Sequence, residues 1–155
     1  MGAIQTLTEM RRLTIEAIQS QKPRQIALEQ MHYSYAANTR ALVQALFNWL
    51  LVRVTIIDEY EELLISPLIM ISEIEKNGRT GGDCDDVAML SASLLGSVGA
   101  AVRFRAVQEL DDGSFAHVFT EYKFPRDKDF SIFDLTIGYN QIRIDYGSIT
   151  MDVIS

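Results

Sequence analysis

Cysteine is nearly absent from this chain: Cys84 is the only one in 155 residues. A single thiol forms no internal disulfide, so nothing asks for an oxidising compartment. Histidine is almost as scarce, with His32 and His117 alone. No Cys-x-x-Cys or His-x-x-x-His pair exists, which removes the usual zinc spacings, and no metal or other cofactor is expected. Positive charge is also short. There are 14 Lys and Arg against 21 Asp and Glu, for a net charge of −7. That balance argues against nucleic acid or an anionic membrane surface as a partner. The longest apolar run, Leu42 to Ile57, is broken by Gln44, Asn48 and Arg53, so it reads as a core helix and not a membrane span. The N-terminus has no positive region followed by an apolar stretch, so no secretory signal is expected, and the cytoplasm is the expected location.

What is present suits one folded domain. Apolar residues make up 48% and charged residues 23%, enough to bury a core and too apolar for a disordered chain. Residues 1–58 read as a helical part of that domain. From Thr8, a candidate N-cap, to about Gln19, Met10, Leu13, Ile15, Ala17 and Ile18 recur at helical steps. Pro23 opens a second helix carrying Ile26, Leu28, Met31 and Tyr35. Thr39 is the candidate cap of a third, through Ala41, Leu42, Ala45, Leu46, Trp49, Leu50 and Val52. Val54 to Ile57 fits a helix end or a short extended piece, and Asp58 to Glu62 an acidic connector.

Ser66-Pro67 announces a short helix from Leu68 to Ile74, and Lys76 to Gly82 reads as a glycine-marked loop. A helix from about Cys84 to Ser97 follows, with Val87, Leu90, Leu94, Leu95 and Val98 as its apolar stripe and Gly99 at its end. The period then changes to two. Val102 to Val107 and Phe115 to Tyr122 read as a hairpin about the Asp111-Asp112-Gly113 turn. Phe130 to Leu135 is a third strand and Gln141 to Asp145 a candidate fourth. The fold class expected is α+β, with a Cys-bearing helix packed on a small antiparallel sheet.

The chemistry centres on Gly82-Asp83-Cys84-Asp85-Asp86. A thiol at a helix start lies beside unpaired N–H groups and the positive end of the helix dipole, which favour a thiolate. His32 sits on a helix among aromatic residues, whereas His117 lies on a strand that can pack on the cysteine helix. Asp134, on the next strand, can accept from the imidazole's other nitrogen and hold its tautomer. Cys84, His117 and Asp134 thus make a candidate nucleophile, base and orienter. Each also has a structural reading of its own: a buried small hydrophobe, a packed strand residue and a turn former. Asp83, Asp85 and Asp86 suit a helix N-terminus, with Asp83 as cap, but their charge opposes a thiolate. Arg79, Arg103 and Arg105 are the cations available to neutralise them, and a carboxylate left unpaired near the thiol would favour a cationic or amine-bearing substrate.

These motifs, with Gly99 to Phe104, Ala116-His117-Val118 and Phe133-Asp134-Leu135-Thr136, resemble the transglutaminase-like superfamily, and within it bacterial and phage proteins with a GDCDD cysteine motif. The order Cys, His, Asp fits, with 33 and 17 residues between successive members. The resemblance spans the C-terminal two-thirds and implies a papain-like catalytic core over residues 59–155. It implies that Cys84 attacks an acyl carbonyl, His117 moves the proton, and Asp134 orients His117. The backbone N–H of Cys84 would serve the oxyanion, with Asn77, the nearest upstream amide, as a candidate second donor. Phe130 and Phe133 stand where many members carry Trp, and Ile56-Ile57 where an aromatic residue is common. The function implied is acyl transfer on an amide or peptide, with a protein substrate also fitting, more as peptidase or amidase than as cross-linker. A virion-associated location would suit a phage protein. The competing expectation is a non-catalytic binding or assembly module. Oligomeric state has no sequence signal.

Overall fold

The computed structural model describes residues 2–57, 63–109, 115–136 and 148–155. Its elements are α1 (Ala3–Gln19), α2 (Lys22–Tyr33), α3 (Thr39–Arg53), β1 (Val54–Ile56), α4 (Pro67–Asn77), β2 (Thr80–Gly82), α5 (Cys84–Ser97), β3 (Ala101–Glu109), β4 (Phe115–Lys123), β5 (Ser131–Phe133) and β6 (Ile149–Ile154). Helices come first and a small antiparallel sheet follows, so the chain is α+β. No described helix is long and apolar enough to cross a membrane.

Helix α5 is the axis of the fold. Every residue from Asp86 to Leu95 is buried, not only the expected stripe. It lies between α1, α2 and α4 on one side and β3 and β4 on the other. Met89, Leu90, Leu94 and Leu95 are wholly enclosed, and burial of each such side chain contributes about 1.5–3 kcal/mol. The buried hydroxyls of Ser91 and Ser93 donate to the Val87 and Leu90 carbonyls, so they bring no unsatisfied polar group into the core. By contrast, α2 buries only Pro23 and Ala27. Gly99 follows α5 at φ +100°, where a side chain would be strained.

The four-stranded sheet has the order β5-β4-β3-β6, all antiparallel. Val107 pairs with His117, and Thr120 with Phe133. Thr120 Oγ1 donates to the Ala88 carbonyl at 2.7 Å, tying β4 to α5. Alternation therefore turns Val118, Thr120 and Tyr122 toward α5, and His117, Phe119 and Glu121 to the other face.

Several boundaries differ from the sequence reading. Helix α1 begins five residues before Thr8, because Gln5 Oε1 accepts from the Gly2 N–H and Leu7 extends the buried face. Thr8 lies inside the helix and donates to the Ile4 carbonyl. Asn38, not Thr39, caps α3, accepting from the Ala41 N–H at 2.9 Å. Tyr35 and Val52, expected on apolar faces, are 91% and 68% exposed. Tyr35 falls beyond the end of α2 at φ +53°, off the helical period. The glycine-marked loop is largely regular. Asn77 ends α4, Gly78 caps it at φ +78°, and Thr80–Gly82 forms β2, parallel to β1. The acidic connector, the Asp111-Asp112-Gly113 turn and the Gln141–Asp145 strand lie outside the described residues. The strand pairing with β3 is β6.

Gly82 is small for a packing reason. A Cβ there would lie 2.7 Å from the Cβ of Asp86. Gly82→Ala is therefore expected to displace the start of α5 and cost about 1–3 kcal/mol, read as a lower urea midpoint with an unchanged slope.

Candidate active site

Cys84 is the first residue of α5, and the acidic residues around it divide by role. Asp83 is the N-cap. Its Oδ1 accepts from the Asp86 N–H at 3.1 Å, and Asp86 Oδ2 accepts from the Asp83 N–H at 3.0 Å, a reciprocal capping box. Asp86 is fully buried, and its Oδ1 also accepts from the Ile65 N–H at 2.7 Å. One carboxylate thus joins the residue after β2, the start of α5 and the irregular segment leading to α4. Burial raises the Asp86 pKa to about 7, the Ile65 N–H opposes the rise, and the charge of Asp83 adds to it. With their oxygens committed to backbone N–H groups, Asp83 and Asp86 have a structural explanation. Asp85 alone is at the sulfur, its Oδ1 3.7 Å from Cys84 Sγ.

The thiol is held protonated. Burial pushes the Cys84 pKa up to about 12, with the Asp85 and Asp83 carboxylates adding to the rise. The backbone N–H of Val118, which donates to the sulfur, works the other way. The helix N-terminus therefore does not outweigh desolvation and two nearby negative charges. The same Val118 N–H places the sulfur beside the residue that follows His117 in the chain.

His117 and Asp134 form a buried pair, 5% and 6% exposed, with Nε2 2.7 Å from Oδ2. Thr136 completes it. Its N–H and hydroxyl both donate to Asp134 Oδ1, at 2.9 and 2.7 Å, and its Oγ1 is 3.2 Å from His117 Nε2. Burial alone would raise the Asp134 pKa, but the His117 and Thr136 hydrogen bonds prevail and hold it below the ordinary carboxylate value. An ionised Asp134 accepts from Nε2–H, which leaves Nδ1 as the basic nitrogen.

Cys84, Asp134 and Thr136 line one crevice, together with Ala88, Val118 and Phe133. The crevice is too narrow for a water molecule. A larger cavity, about 690 Å³, lies between α2, α3 and the end of α5, but neither the thiol nor an imidazole lines it. Asn77 is exposed at the end of α4 and is not on the crevice wall, so the structure does not bring it to the thiol. His32 is likewise exposed, its ring against Tyr33. Arg103 and Arg105 do not neutralise the acidic motif. Both pair with Glu121 Oε1, at 2.8 and 3.0 Å. The Arg105 Nε contact is off the N–H direction, so it is a charge pair and not a hydrogen bond. Among the described residues no group of three or more His, Cys, Asp or Glu is arranged to hold a metal ion.

Sequence reasoning passed over Thr136 as a site residue. The spacing Asp134-Leu135-Thr136 was the available signal, because a Thr two positions after an Asp can return its N–H to that carboxylate as an Asx turn. Comparison with protein-family models, curated proteins and solved structures returned no match.

The shifts carry definite signs. A raised thiol pKa predicts slow iodoacetamide labelling of Cys84 at neutral pH, accelerating only toward pH 12, and a lower midpoint for Asp85→Asn. Asp86, also raised, stabilises the fold fully below its unfolded value of about 3.9. That contribution is lost as pH rises through about 7. Asp134, lowered, contributes above its unfolded value and loses its contribution as pH falls through its depressed folded value. Carboxyl 13C NMR is expected to give an Asp86 midpoint near 7, with Asp134 below the ordinary range.

Proposed function

We propose that this protein is a thiol-dependent acyl-transfer enzyme acting on an amide or peptide bond. The observation that carries the reading is the buried His117–Asp134 pair beside a crevice lined by the only cysteine, at the first turn of an enclosed helix. The resemblance of the Cys, His and Asp motifs to the transglutaminase-like superfamily points the same way. Cys84 attacks the acyl carbonyl while His117 Nδ1 takes the thiol proton, giving a tetrahedral intermediate; the proton then passes to the leaving amine as the C–N bond breaks and the acyl-enzyme forms. Asp134 orients the imidazole and stabilises its protonated form. The Cys84 backbone N–H, at a helix start where N–H groups lack intrahelical partners, donates to the oxyanion.

A thiol with a pKa near 12 does not rest as a thiolate. Proton transfer to His117 therefore belongs to the attack itself and does not precede it. In this reading water is the acceptor, as in a peptidase or amidase, before the amine of a cross-linking enzyme. The protonated thiol and the narrow crevice favour a second reading, a binding or assembly module that retains the residues without the chemistry.

The two readings separate by mass spectrometry after incubation with activated acyl esters and a peptide-amide library. Acyl transfer predicts an adduct mapped to Cys84, absent in Cys84→Ala and formed roughly a thousandfold more slowly in His117→Ala. Failure to acylate with every substrate, together with a labelling profile that His117→Ala leaves unchanged, would establish the module instead.

A further inference from the structure

We infer that Thr136 is a positioning residue: its hydroxyl confines the proton of neutral His117 to Nε2 and so leaves Nδ1 as the basic nitrogen. The inference rests on the acyl-transfer reading for its consequence, but the proton assignment follows from the polar network itself.

A hydroxyl carries one proton and two lone pairs. Thr136 Oγ1 lies 2.7 Å from Asp134 Oδ1 and 3.2 Å from His117 Nε2. When the proton goes to Oδ1, a lone pair is left toward Nε2. Nε2 then faces two acceptors, Thr136 Oγ1 and Asp134 Oδ2, the latter at 2.7 Å. Only a protonated Nε2 satisfies that arrangement. Moving the ring proton to Nδ1 would bring lone pairs together with no hydrogen between them. The other tautomer is accommodated only if the carboxyl itself takes a proton at Oδ2 and donates it to a bare Nε2, and the two Thr136 donors on Oδ1 oppose that by holding Asp134 ionised. His117, Asp134 and Thr136 are all about 95% buried, so water is not at hand to repair the mismatch.

Thr136 also decides which carboxylate oxygen the imidazole meets. Its N–H and O–H both occupy Oδ1, which leaves Oδ2 for the ring. A His–Asp pair without this clamp could share its proton between oxygens, or shift it with the carboxyl, at a smaller cost. The depressed Asp134 pKa agrees with three donors converging on an ionised group.

The test compares Thr136→Val, which keeps the shape and removes the hydroxyl, with Thr136→Ser, which keeps it. Long-range 1H–15N NMR of neutral His117 is expected to show Nε2–H alone in the unmodified protein and in Thr136→Ser. Both tautomers are expected in Thr136→Val, with the Asp134 carboxyl titrating at higher pH. In acylation of Cys84, Thr136→Val is expected to lower kcat about 10- to 100-fold with KM nearly unchanged, and Ser to restore most of it. Should Thr136→Val not fold, Thr136→Ala is read in the same way. A folded Thr136→Val that keeps the single Nε2–H tautomer and the original Asp134 titration would overturn the inference. If the tautomer responds as expected but no variant acylates, the proton assignment stands and the acyl-transfer reading falls.

Discussion

The enclosure of α5 is the constraint on which the rest of the structure depends. A helix buried on every side can expose a side chain only at its ends, and its first residue is Cys84. Its burial against three helices and two strands supplies much of the apolar stabilisation and fixes where the N-terminus emerges. The end is then held by Asp86, whose carboxylate bonds backbone N–H groups on both the α4 side and the β2 side. Gly82 leaves the room that this carboxyl group needs. Position of the thiol is thus determined by core packing, with capping as the local adjustment.

Enclosure also sets the electrostatics. Desolvation dominates the thiol, and the nearby carboxylates add to its effect, so the favourable helix dipole does not produce a resting thiolate. Desolvation acts on Asp134 as well, but there three hydrogen-bond donors reverse the outcome. Two acidic groups in one small region therefore shift in opposite directions, one held neutral and one held charged.

The sheet contributes by alternation. Thr120 fixes one face of β4 against α5, so His117, Phe119 and Glu121 share the other. Glu121 receives both Arg103 and Arg105 across the β3–β4 ladder, and Arg103 also stacks over Phe130 at 3.8 Å. These cations satisfy the sheet's own buried carboxylate. They are drawn there by direct cross-strand register, Arg103 facing Glu121, rather than toward the acidic stretch before α5.

Much was legible in the sequence by itself. The helix from Cys84 to Ser97, the hairpin containing His117, the proline-led α4 and the α+β order follow from periodicity and local capping, which act over a few neighbouring residues. Cys84 and His117 could be named because the chain holds so few thiols and imidazoles, and Asp134 because it follows on the next strand. Other features depended on partners distant in the chain. Strand β2 was hidden in a glycine-rich stretch, because its strand character comes from pairing with β1. Full burial of α5 depends on surfaces supplied by both halves of the chain. The bond from Asp86 to Ile65, the Thr136 clamp and the protonated state of Cys84 were likewise decided by the tertiary structure. Hydrogen bonds across the fold and desolvation depend on what surrounds a group in space, which local order along the chain does not specify.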